Sequence, residues 1–516
     1  MTYKLYFDDR WEKSSGGYIC SHTTSDIDLT EIESTNNDHL GFYAYVVETD
    51  RGVIAGVDHI RSIPLFYATV SDKLYLSNDS DWIVNQLSEH ERSKLINTEY
   101  ELAGYVTGRD TRHPKIKQLL PGEKLYWEDN KLEIISKSAF TYSKQRKQKS
   151  VQDAVEVAEG AVKRLIEYAN GRQIVIPLSG GLDSRLIAGL IEKNGYQNVF
   201  SFTYGRTDTP EVSIAEQRAA SLNIEWEHIR YDHEKWKQWY RSEHREQLYD
   251  INDNIKSIPH IEMGPALVQL KADSLVDTDA IVVPGHTGDM ISGGHFPKSL
   301  YIQDCVSRSD IADLILKNHY SLDEIPDGMK TKLKQRIIKK LDVSNSLAPD
   351  LAYEAYESWD FRNRQAGFII NSMRAVESSN FDWYLPLWDK DLMNFWLDVP
   401  VKQRLNKKLY KKAVSEVWGE ATKEDEQTSL ITDRDVDPKT ESILTKTKRN
   451  VSKSPINKVL KPIYDRYIIP RTHYHAHPLG WYGIVPHDCF KRIYQRDSTI
   501  NTFLSKDILE KINLEG

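Results

Sequence analysis

The stretch "IVIPLSGGLDSRLIAGL", residues 174 to 190, decides the fold of the larger part of this chain. It opens with a short β-branched run that is typical of a buried strand, and Leu186, Ile187 and Leu190 then recur at helical spacing. The stretch therefore predicts a strand, a glycine turn and a helix. Glycines at such a turn let backbone N–H groups approach a ligand, and the start of the helix favours an anion. The turn predicts a phosphate site.

Asp183 indicates which kind of phosphate site this is. A common ATPase loop carries a lysine that reaches the outer phosphates, and this stretch has none. A carboxylate beside phosphates repels them unless a divalent cation lies between, so Asp183 is predicted to be a Mg²⁺ ligand. The alternative is a simple glycine turn in which Asp183 caps the helix.

A second stretch, "AIVVPGHTGDMISGGHF" at residues 280 to 296, repeats the pattern of an apolar strand and a glycine-rich turn. This turn contains one acid, Asp289. Loops at the carboxyl ends of neighbouring parallel strands converge on one crevice. Asp183 and Asp289 are therefore expected to hold the same Mg²⁺ and pyrophosphate.

These residues carry a resemblance to a known family. Ser-Gly-Gly-Leu-Asp-Ser at 179 to 184 resembles the pyrophosphate loop of the ATP-pyrophosphatase (PP-loop) superfamily, and residues 285 to 294 resemble the matching loop of class B asparagine synthetases. "FDWYLPLWDKDLMNFWLDVP" at 381 to 400 is similar to a later segment of that family. Residues 41 to 79 and "LLPGEKLYW" at 119 to 127 resemble its glutaminase domain.

The resemblance implies an α/β protein in two parts. Residues 1–140 are expected to form a degenerate glutamine-amidotransferase-like domain, an antiparallel β-sandwich of the Ntn-hydrolase type. Residues 150–516 are expected to form the asparagine-synthetase-like ATP-pyrophosphatase domain, a parallel sheet of the adenine-nucleotide α-hydrolase type with extra helices. Glutaminase domains of this family use a cysteine directly after the initiator methionine, and this chain has Thr2 there. We therefore expect no glutaminase activity.

The composition of the chain limits the classes of partner that it is expected to bind. The net charge of −8 gives no electrostatic footprint for nucleic acid. The sequence lacks a 20-residue apolar run and a signal peptide, and its three cysteines have no metal or disulfide spacing, which favours a cytoplasmic protein without membrane contact. The expected partners are small-molecule carboxylate and amine substrates, with a peptide or an amino sugar as further options. A homodimer is left open.

The resemblance also implies an ATP and pyrophosphate site. Its backbone groups and side chains come from the first loop, the next strand and the second loop, with plain strand packing as the alternative for the strand residues. The residues carried over are Leu178, Ser179, Gly180, Gly181, Asp183, Ser184, Tyr204, Gly205 and Gly285. Glu211 lies in the family's acidic stretch, where it could help hold the metal, but a surface charge is expected. ATP and Mg²⁺ are the implied cofactors, with Asp183 and Asp289 as metal ligands.

Departures from the family pattern give three candidates for catalytic roles. His286 stands where asparagine synthetases have a glutamate, and an imidazole could take a proton from an attacking amine, although a loop histidine of purely structural role is the alternative. Arg374 aligns with a family arginine and could contact phosphate. Asp382 stands where the family has a glutamate and is a second proton acceptor.

Two other patterns leave their roles open. The family's late lysine aligns with Gln427 or Thr428, with Lys423 as the nearest cation. "THYHAHP" places His473, His475 and His477 at alternate positions, which suggests a metal site but without a supporting fourth ligand, so a surface turn is expected.

The expected activity is an ATP-dependent ligase. It would adenylate a carboxylate, release pyrophosphate, and transfer the acyl group to ammonia, an amine, an amino sugar or an internal amine. A divergent glutamine-hydrolysing asparagine synthase is one alternative. A catalytically silent nucleotide-binding scaffold is another.

Overall fold

The computed structural model contains a mixed sheet, in which β1 and β7 pair in parallel, and an antiparallel sheet in the amino-terminal part, and a parallel sheet in the carboxy-terminal part. The structure describes residues 2–14, 16–24, 27–29, 40–87, 93–136, 140–295, 297–422 and 500–514, together with 474, 477, 479, 481–486 and 489–490. The predicted α/β fold class is confirmed. The division at residues 140 to 150 stays a prediction.

Two sheets stack in the amino-terminal part. The four-stranded sheet has the order β1-β7-β6-β8, and the six-stranded antiparallel sheet has the order β10-β9-β5-β4-β3-β2. The bounds are β1 Tyr3–Tyr6, β2 Glu12–Ser14, β3 Gly17–His22, β4 Phe42–Thr49, β5 Gly52–Val57, β6 Phe66–Val70, β7 Lys73–Ser77, β8 Lys117–Gln118, β9 Glu123–Glu128 and β10 Lys131–Ser136. Helices α1 Ser80–Gln86 and α2 Lys94–Ala103 complete this part.

The carboxy-terminal part is built on a five-stranded parallel sheet of order β13-β12-β11-β14-β17. Its strands are β11 Ile174–Pro177, β12 Val199–Gly205, β13 Glu225–Arg230, β14 Ile281–Val282 and β17 Asp382–Trp383. A separate pair joins β15 Val306–Ser307 to β16 Ser346–Leu347. Strand β11 is central and fully apolar at Ile174, Val175 and Ile176, as a strand covered on both faces must be.

Helices cover both faces of the parallel sheet and extend beyond it. Their bounds are α3 Val151–Ala169, α4 Leu182–Lys193, α5 Pro210–Ser221, α6 His233–Tyr240, α7 Glu243–Ile251, α8 Gly264–Ala272, α9 Gly288–Ile291, α10 Lys298–Tyr301, α11 Arg308–His319, α12 Met329–Lys340, α13 Pro349–Asp360, α14 Met373–Ser378, α15 Lys390–Asp398, α16 Val401–Arg404, α17 Lys408–Thr422 and α18 Ile500–Leu514. A π-helix spans Phe361–Ile369, and 3₁₀ turns span Ile370–Ser372, Pro386–Trp388, Leu405–Lys407 and Trp481–Ile484.

Buried polar contacts join the two parts. The Lys256 side chain is fully buried, and burial lowers its pKa well below the usual value. Its Nζ donates to the backbone carbonyls of Val106 and Gly108, the latter at 2.9 Å. Arg61, equally buried, donates to the Ala366 carbonyl and to Asn371 Oδ1. Because buried charges must be paired or hydrogen-bonded, these contacts fix how the parts pack.

No helix among the described ranges combines the length and the apolar character that crossing a membrane requires.

Candidate functional site

The first glycine loop lies between β11 and α4. Gly181 N donates to Ser179 Oγ at 3.1 Å, and Ser179 N donates to Ser184 Oγ at 3.2 Å, so the two serines brace the turn. Helix α4 begins after Gly181, and no side chain caps it. The first amides of a helix have no intrahelical partner, so this uncapped end can donate to an anion. The capping role considered for Asp183 is not seen.

The second glycine loop packs directly against the first. A Cβ on Gly285 would lie 2.9 Å from the Ser184 backbone nitrogen, and one on Gly288 would lie 2.8 Å from Asp183 Oδ1. Only glycine permits these approaches. Asp289 N donates to Asp183 Oδ2 at 3.2 Å, which brings the two predicted metal ligands together.

The surroundings of Asp183 include one group that stabilises its negative charge and two influences that oppose this charge. Tyr410, on α17, donates its hydroxyl to Asp183 Oδ1 at 2.7 Å. Burial, together with the nearby charge of Asp289, raises the pKa of Asp183 to about 7. Burial and a neighbouring like charge both disfavour an ionised carboxylate. A divalent cation bound between them would remove the repulsion.

His295 is a partner of Asp289 that the sequence interpretation missed. Its Nε2 lies 3.2 Å from Asp289 Oδ2, and its Nδ1 lies 3.0 Å from Asp360 Oδ2. Burial alone would lower the pKa of His295, but its hydrogen bonds to the two carboxylates raise it to about 10. The ring is therefore an imidazolium at neutral pH. In turn, although burial acts to raise the pKa of Asp289, the hydrogen bond and charge of His295 lower it overall.

A third segment brings lysines to the site. Asn406 and Lys407 both have left-handed backbones, with φ of 60° and 58°, just before α17. Their turn packs on Gly293 and Gly294 of the second loop, where a Cβ would lie 2.8 Å from the Arg404 carbonyl and 3.1 Å from Lys407 Cδ. Lys407 and, one turn later, Lys411 line the same cavity as the two aspartates. Non-glycine residues in this backbone region are strained and occur often at functional sites.

A buried ion pair anchors this third segment. Arg404 and Glu357 are both fully buried, and their charged groups meet at 2.8 Å. Tyr142 and Tyr353 also donate to the Glu357 carboxylate. Arg404 Nη2 further donates to the Ile291 carbonyl, which ties the segment to the second loop. The position of Lys407 thus depends on a charge pair outside the cavity.

All three segments open onto one cavity of about 660 Å³. Most of the residues predicted from sequence line it, whereas Gly180 and Gly205 belong to the same loop and strand without lining it. The lining residues are Pro177, Leu178, Ser179, Gly181, Leu182, Asp183, Ser184, Phe202, Thr203, Tyr204, Glu211, Glu262, Met263, Pro284, Gly285, His286, Asp289, Lys407, Lys411 and Leu479.

His286 lines the cavity, and within the described part of the chain one of its ring nitrogens, Nδ1, makes a hydrogen bond. Ser372 Oγ donates to the Ile369 carbonyl at 2.6 Å, so its oxygen is left to accept from His286 Nδ1, 3.5 Å away. This network assigns the proton to Nδ1 and the lone pair to Nε2. Burial, with a smaller effect of His260, lowers the pKa of His286 to about 4. The ring is neutral at pH 7 and can accept a proton, although it is a weaker base than an exposed histidine.

Arg374 does not lie at the cavity. It is almost fully buried and faces the amino-terminal part, where its Nη2 donates to the Ser62 carbonyl at 3.1 Å and pairs with Glu377 at 2.8 Å. Burial, together with the nearby charge of Arg10, lowers its pKa to about 9. This position favours a role in packing the two parts together.

Asp382 also lies away from the cavity, for a reason found in the sheet register. It pairs with Ile281, the first residue of β14, and therefore stands at the amino end of the parallel strands. Asp183 and Asp289 follow the carboxyl ends. Asp382 instead accepts hydrogen bonds from His22 at 2.7 Å, Tyr168 at 2.7 Å and Arg172 at 2.8 Å.

We expect Asp382→Asn to affect stability rather than one chemical step. Loss of the carboxylate charge removes charge-assisted hydrogen bonds and should lower the free energy of unfolding by about 1.5–3 kcal/mol, measured by urea denaturation. Product formation should follow the folded fraction. A selective loss of product formation at unchanged stability would instead support the catalytic role predicted from the sequence.

The donor set fits a cation shared with phosphate. Among the described residues, no group of three or more histidine, cysteine, aspartate or glutamate side chains could hold a metal ion by itself. Mg²⁺ commonly binds through one or two carboxylates and completes its shell with phosphates and water. Asp183 and Asp289 match that pattern. Lys423, Gln427, Thr428, His473 and His475 lie outside the described residues.

One comparison with known proteins covers the first loop. Residues 157–263, which contain this loop, match the family model described as Asparagine synthase. This segment is asparagine synthase-like. The match confirms the resemblance for the first loop and its flanking elements, and it supports, in general terms, ligase-type chemistry that uses ATP. No curated protein gives a significant match.

Among solved structures, the chain is similar to an NH3-dependent NAD synthetase from Campylobacter jejuni. The identity is 16%, the TM-score is 0.22, and the alignment covers 37% of this chain and 94% of the other.

Proposed function

We propose that the chain is an ATP-dependent amide-forming ligase that adenylates a carboxylate, releases pyrophosphate and passes the acyl group to an amine. One observation carries the proposal: Asp183 and Asp289 contact each other at a cavity that is also lined by Lys407 and His286. These are the charges needed by pyrophosphate release, next to a proton acceptor for the amine.

The first half-reaction would take place at the phosphate end of the cavity. A substrate carboxylate oxygen attacks the α-phosphorus, and the bond to the departing pyrophosphate breaks. The amides at the start of α4 and the ammonium groups of Lys407 and Lys411 would stabilise the charge on pyrophosphate. Mg²⁺ bound by Asp183 and Asp289 would neutralise the same charge. Leu178 and Tyr204 would contact the base of the nucleotide.

The second half-reaction would take place beside His286. The nitrogen lone pair of the acceptor attacks the acyl carbon, the carbon–nitrogen bond forms, and the carbon–oxygen bond to AMP breaks. AMP leaves with the electron pair, and His286 Nε2 accepts a proton from the nitrogen. Because His286 is already neutral, this acceptor is available without prior deprotonation.

The structure also bears on the expected loss of glutaminase activity. Trp127 Nε1 donates to Thr2 Oγ1 at 3.2 Å, so the hydroxyl that replaces the family's thiol is already hydrogen-bonded. We expect no glutamine hydrolysis above background, measured as glutamate release. Release that disappears in Thr2→Ala would instead favour a divergent glutamine-hydrolysing asparagine synthase.

Exchange of labelled pyrophosphate into ATP tests the proposed function. A panel of carboxylates is screened with the full-length protein, ATP and Mg²⁺, and exchange that depends on one class of carboxylate is the expected result. ATP binding without exchange for any carboxylate would favour the nucleotide-binding scaffold. The carboxylate found in this way is then used for the variants.

His286→Ala should separate the two half-reactions. Exchange should persist, because it reports adenylation alone, whereas amide formation should fall by about 10²-fold, the lower range for a positioned base. His286→Gln serves as the conservative control and should be equally defective, since an amide cannot take up the proton. Equal loss of exchange and amide formation would show that His286 shapes the phosphate loop instead.

A further inference from the structure

Glu262 is a cavity residue that the reaction described above does not use. It lies in the segment before α8, and its side chain is about one quarter exposed, toward the cavity. Among the described residues, no other residue donates a hydrogen bond to its carboxylate, and the closest cation candidate, His260 Nδ1, is 3.8 Å away. A carboxylate that lines a cavity and has no cationic side chain beside it either accepts hydrogen bonds from a bound ligand or stays protonated.

Among the described residues, the His260 ring is the one basic group within 4 Å of the Glu262 carboxylate. His260 is partly buried, its Nε2 donates to the Phe368 carbonyl at 3.0 Å, and burial lowers its pKa to about 4. His286 is neutral for the same reason. Burial in turn raises the pKa of Glu262 to about 7, with no cation to oppose it. A cationic ligand would supply the charge that the protein does not.

Glu262 and the proton acceptor His286 line the same cavity. His260 Nδ1 lies 3.8 Å from the Glu262 carboxylate, and His260 is also near enough to His286 to lower its pKa. The lysines that would face pyrophosphate, Lys407 and Lys411, come from a different segment. The cavity therefore presents lysines from one segment and an acid from another.

We propose that Glu262 binds the acceptor as an alkylammonium ion and that the acceptor is therefore an aliphatic amine. This inference rests on the proposed function and specifies its second substrate. Glu262 would attract and orient the ammonium group, and a proton would then leave the nitrogen for His286 Nε2 before or during attack. Glu262 is a binding residue here, and the acyl transfer itself is unchanged.

Binding of simple amines tests this without turnover. The probe is n-butylammonium chloride, with sodium chloride at equal ionic strength and n-butanol as the neutral control, and the readout is the melting temperature of the full-length protein with ATP and Mg²⁺. We expect stabilisation by the ammonium ion but not by the alcohol or the sodium salt. Glu262→Gln should bind the ammonium ion at least about tenfold more weakly, since a charge-assisted hydrogen bond contributes this much to affinity. Glu211→Gln, a second acid of the same cavity, is the matched control and should retain the stabilisation.

Two results of this binding experiment would overturn the role of Glu262. Equal stabilisation of wild type and Glu262→Gln would overturn the proposal. Weaker ATP binding in Glu262→Gln that is not seen with 2′-deoxy-ATP would also overturn it, because the carboxylate would then contact the ribose. Pyrophosphate exchange is measured separately: its absence in the wild-type protein would count against the ligase, whereas amine binding by Glu262 would still be decided by the melting data.

Discussion

Asp183→Asn is expected to abolish carboxylate-dependent pyrophosphate exchange, with a loss of at least about 10³-fold, because a bound metal contributes several kcal/mol to stabilising charge in such a transition state. The substitution keeps the shape of the side chain and its contact with Tyr410. It removes the negative charge that would hold Mg²⁺ beside Asp289. The rate of exchange is measured at saturating ATP, over a range of Mg²⁺ concentrations.

Asp183→Asn should also change ligand binding, which can be measured without turnover. The protein should be stabilised much less against heat by ATP with Mg²⁺, since a ligand in excess stabilises the folded state by an amount that increases with the logarithm of its affinity. Asp342→Asn, on the surface, is the matched control. If Asp183→Asn keeps both the melting shift and the exchange, the metal role of Asp183 is wrong.

Glu357→Gln is expected to lower the free energy of unfolding by about 3–5 kcal/mol, the usual cost of removing one partner from a buried ion pair. Arg404 would keep its charge at a position with no exposure to water, and both Tyr142 and Tyr353 would lose a charged acceptor. Urea denaturation measures the change. Glu420→Gln, whose ion pair with Lys193 is half exposed, is the control and should cost less than about 1 kcal/mol.

A double variant separates the effect of the ion pair on protein stability from its effect on the position of Lys407. Replacing Glu357 with leucine and Arg404 with methionine removes both charges at similar volume, and such replacements often restore stability. The double variant should therefore be more stable than Glu357→Gln. It should still be impaired in pyrophosphate exchange, because Lys407 loses the anchor that tied its segment to the second loop. Full exchange in the double variant would show that this anchor is not needed.

The two glycine loops were predictable because their signals are local. Each has an apolar strand followed by a glycine turn and one acid, and parallel topology places such turns at one edge of the sheet. The structure puts β11 beside β14, and this strand order brings Asp183 and Asp289 together as the pattern predicted. Their roles as metal ligands stay predictions.

The partners of those acids could not be found in the same way. Tyr410 is 227 residues from Asp183 along the chain, and no spacing links the two. Lys407 reaches the cavity only through a left-handed turn whose path depends on the buried Arg404. His295 did offer a signal, since it closes the second glycine loop six residues after Asp289, but its pairing with Asp360 needs the helix α13 in place.

Asp382 shows a second reason why the site could not be predicted fully from the sequence. Alignment to a family segment placed it near the reaction, but a strand has two ends, and a short strand gives no indication of which end a residue occupies. The register with Ile281 decides this and directs the carboxylate to Arg172. Arg374 is similar, because its helix faces the amino-terminal part rather than the crevice.

The carbonyl cage around Lys256 has a consequence for how this protein can be divided. Its Nζ belongs to the carboxy-terminal part, yet the oxygens that accept its hydrogen bonds are those of Val106 and Gly108. A fragment that began after residue 140 would have to hydrate this lysine where packed backbone now surrounds it. Such a fragment would therefore lack part of its own polar core, whatever chemistry the amino-terminal residues contribute.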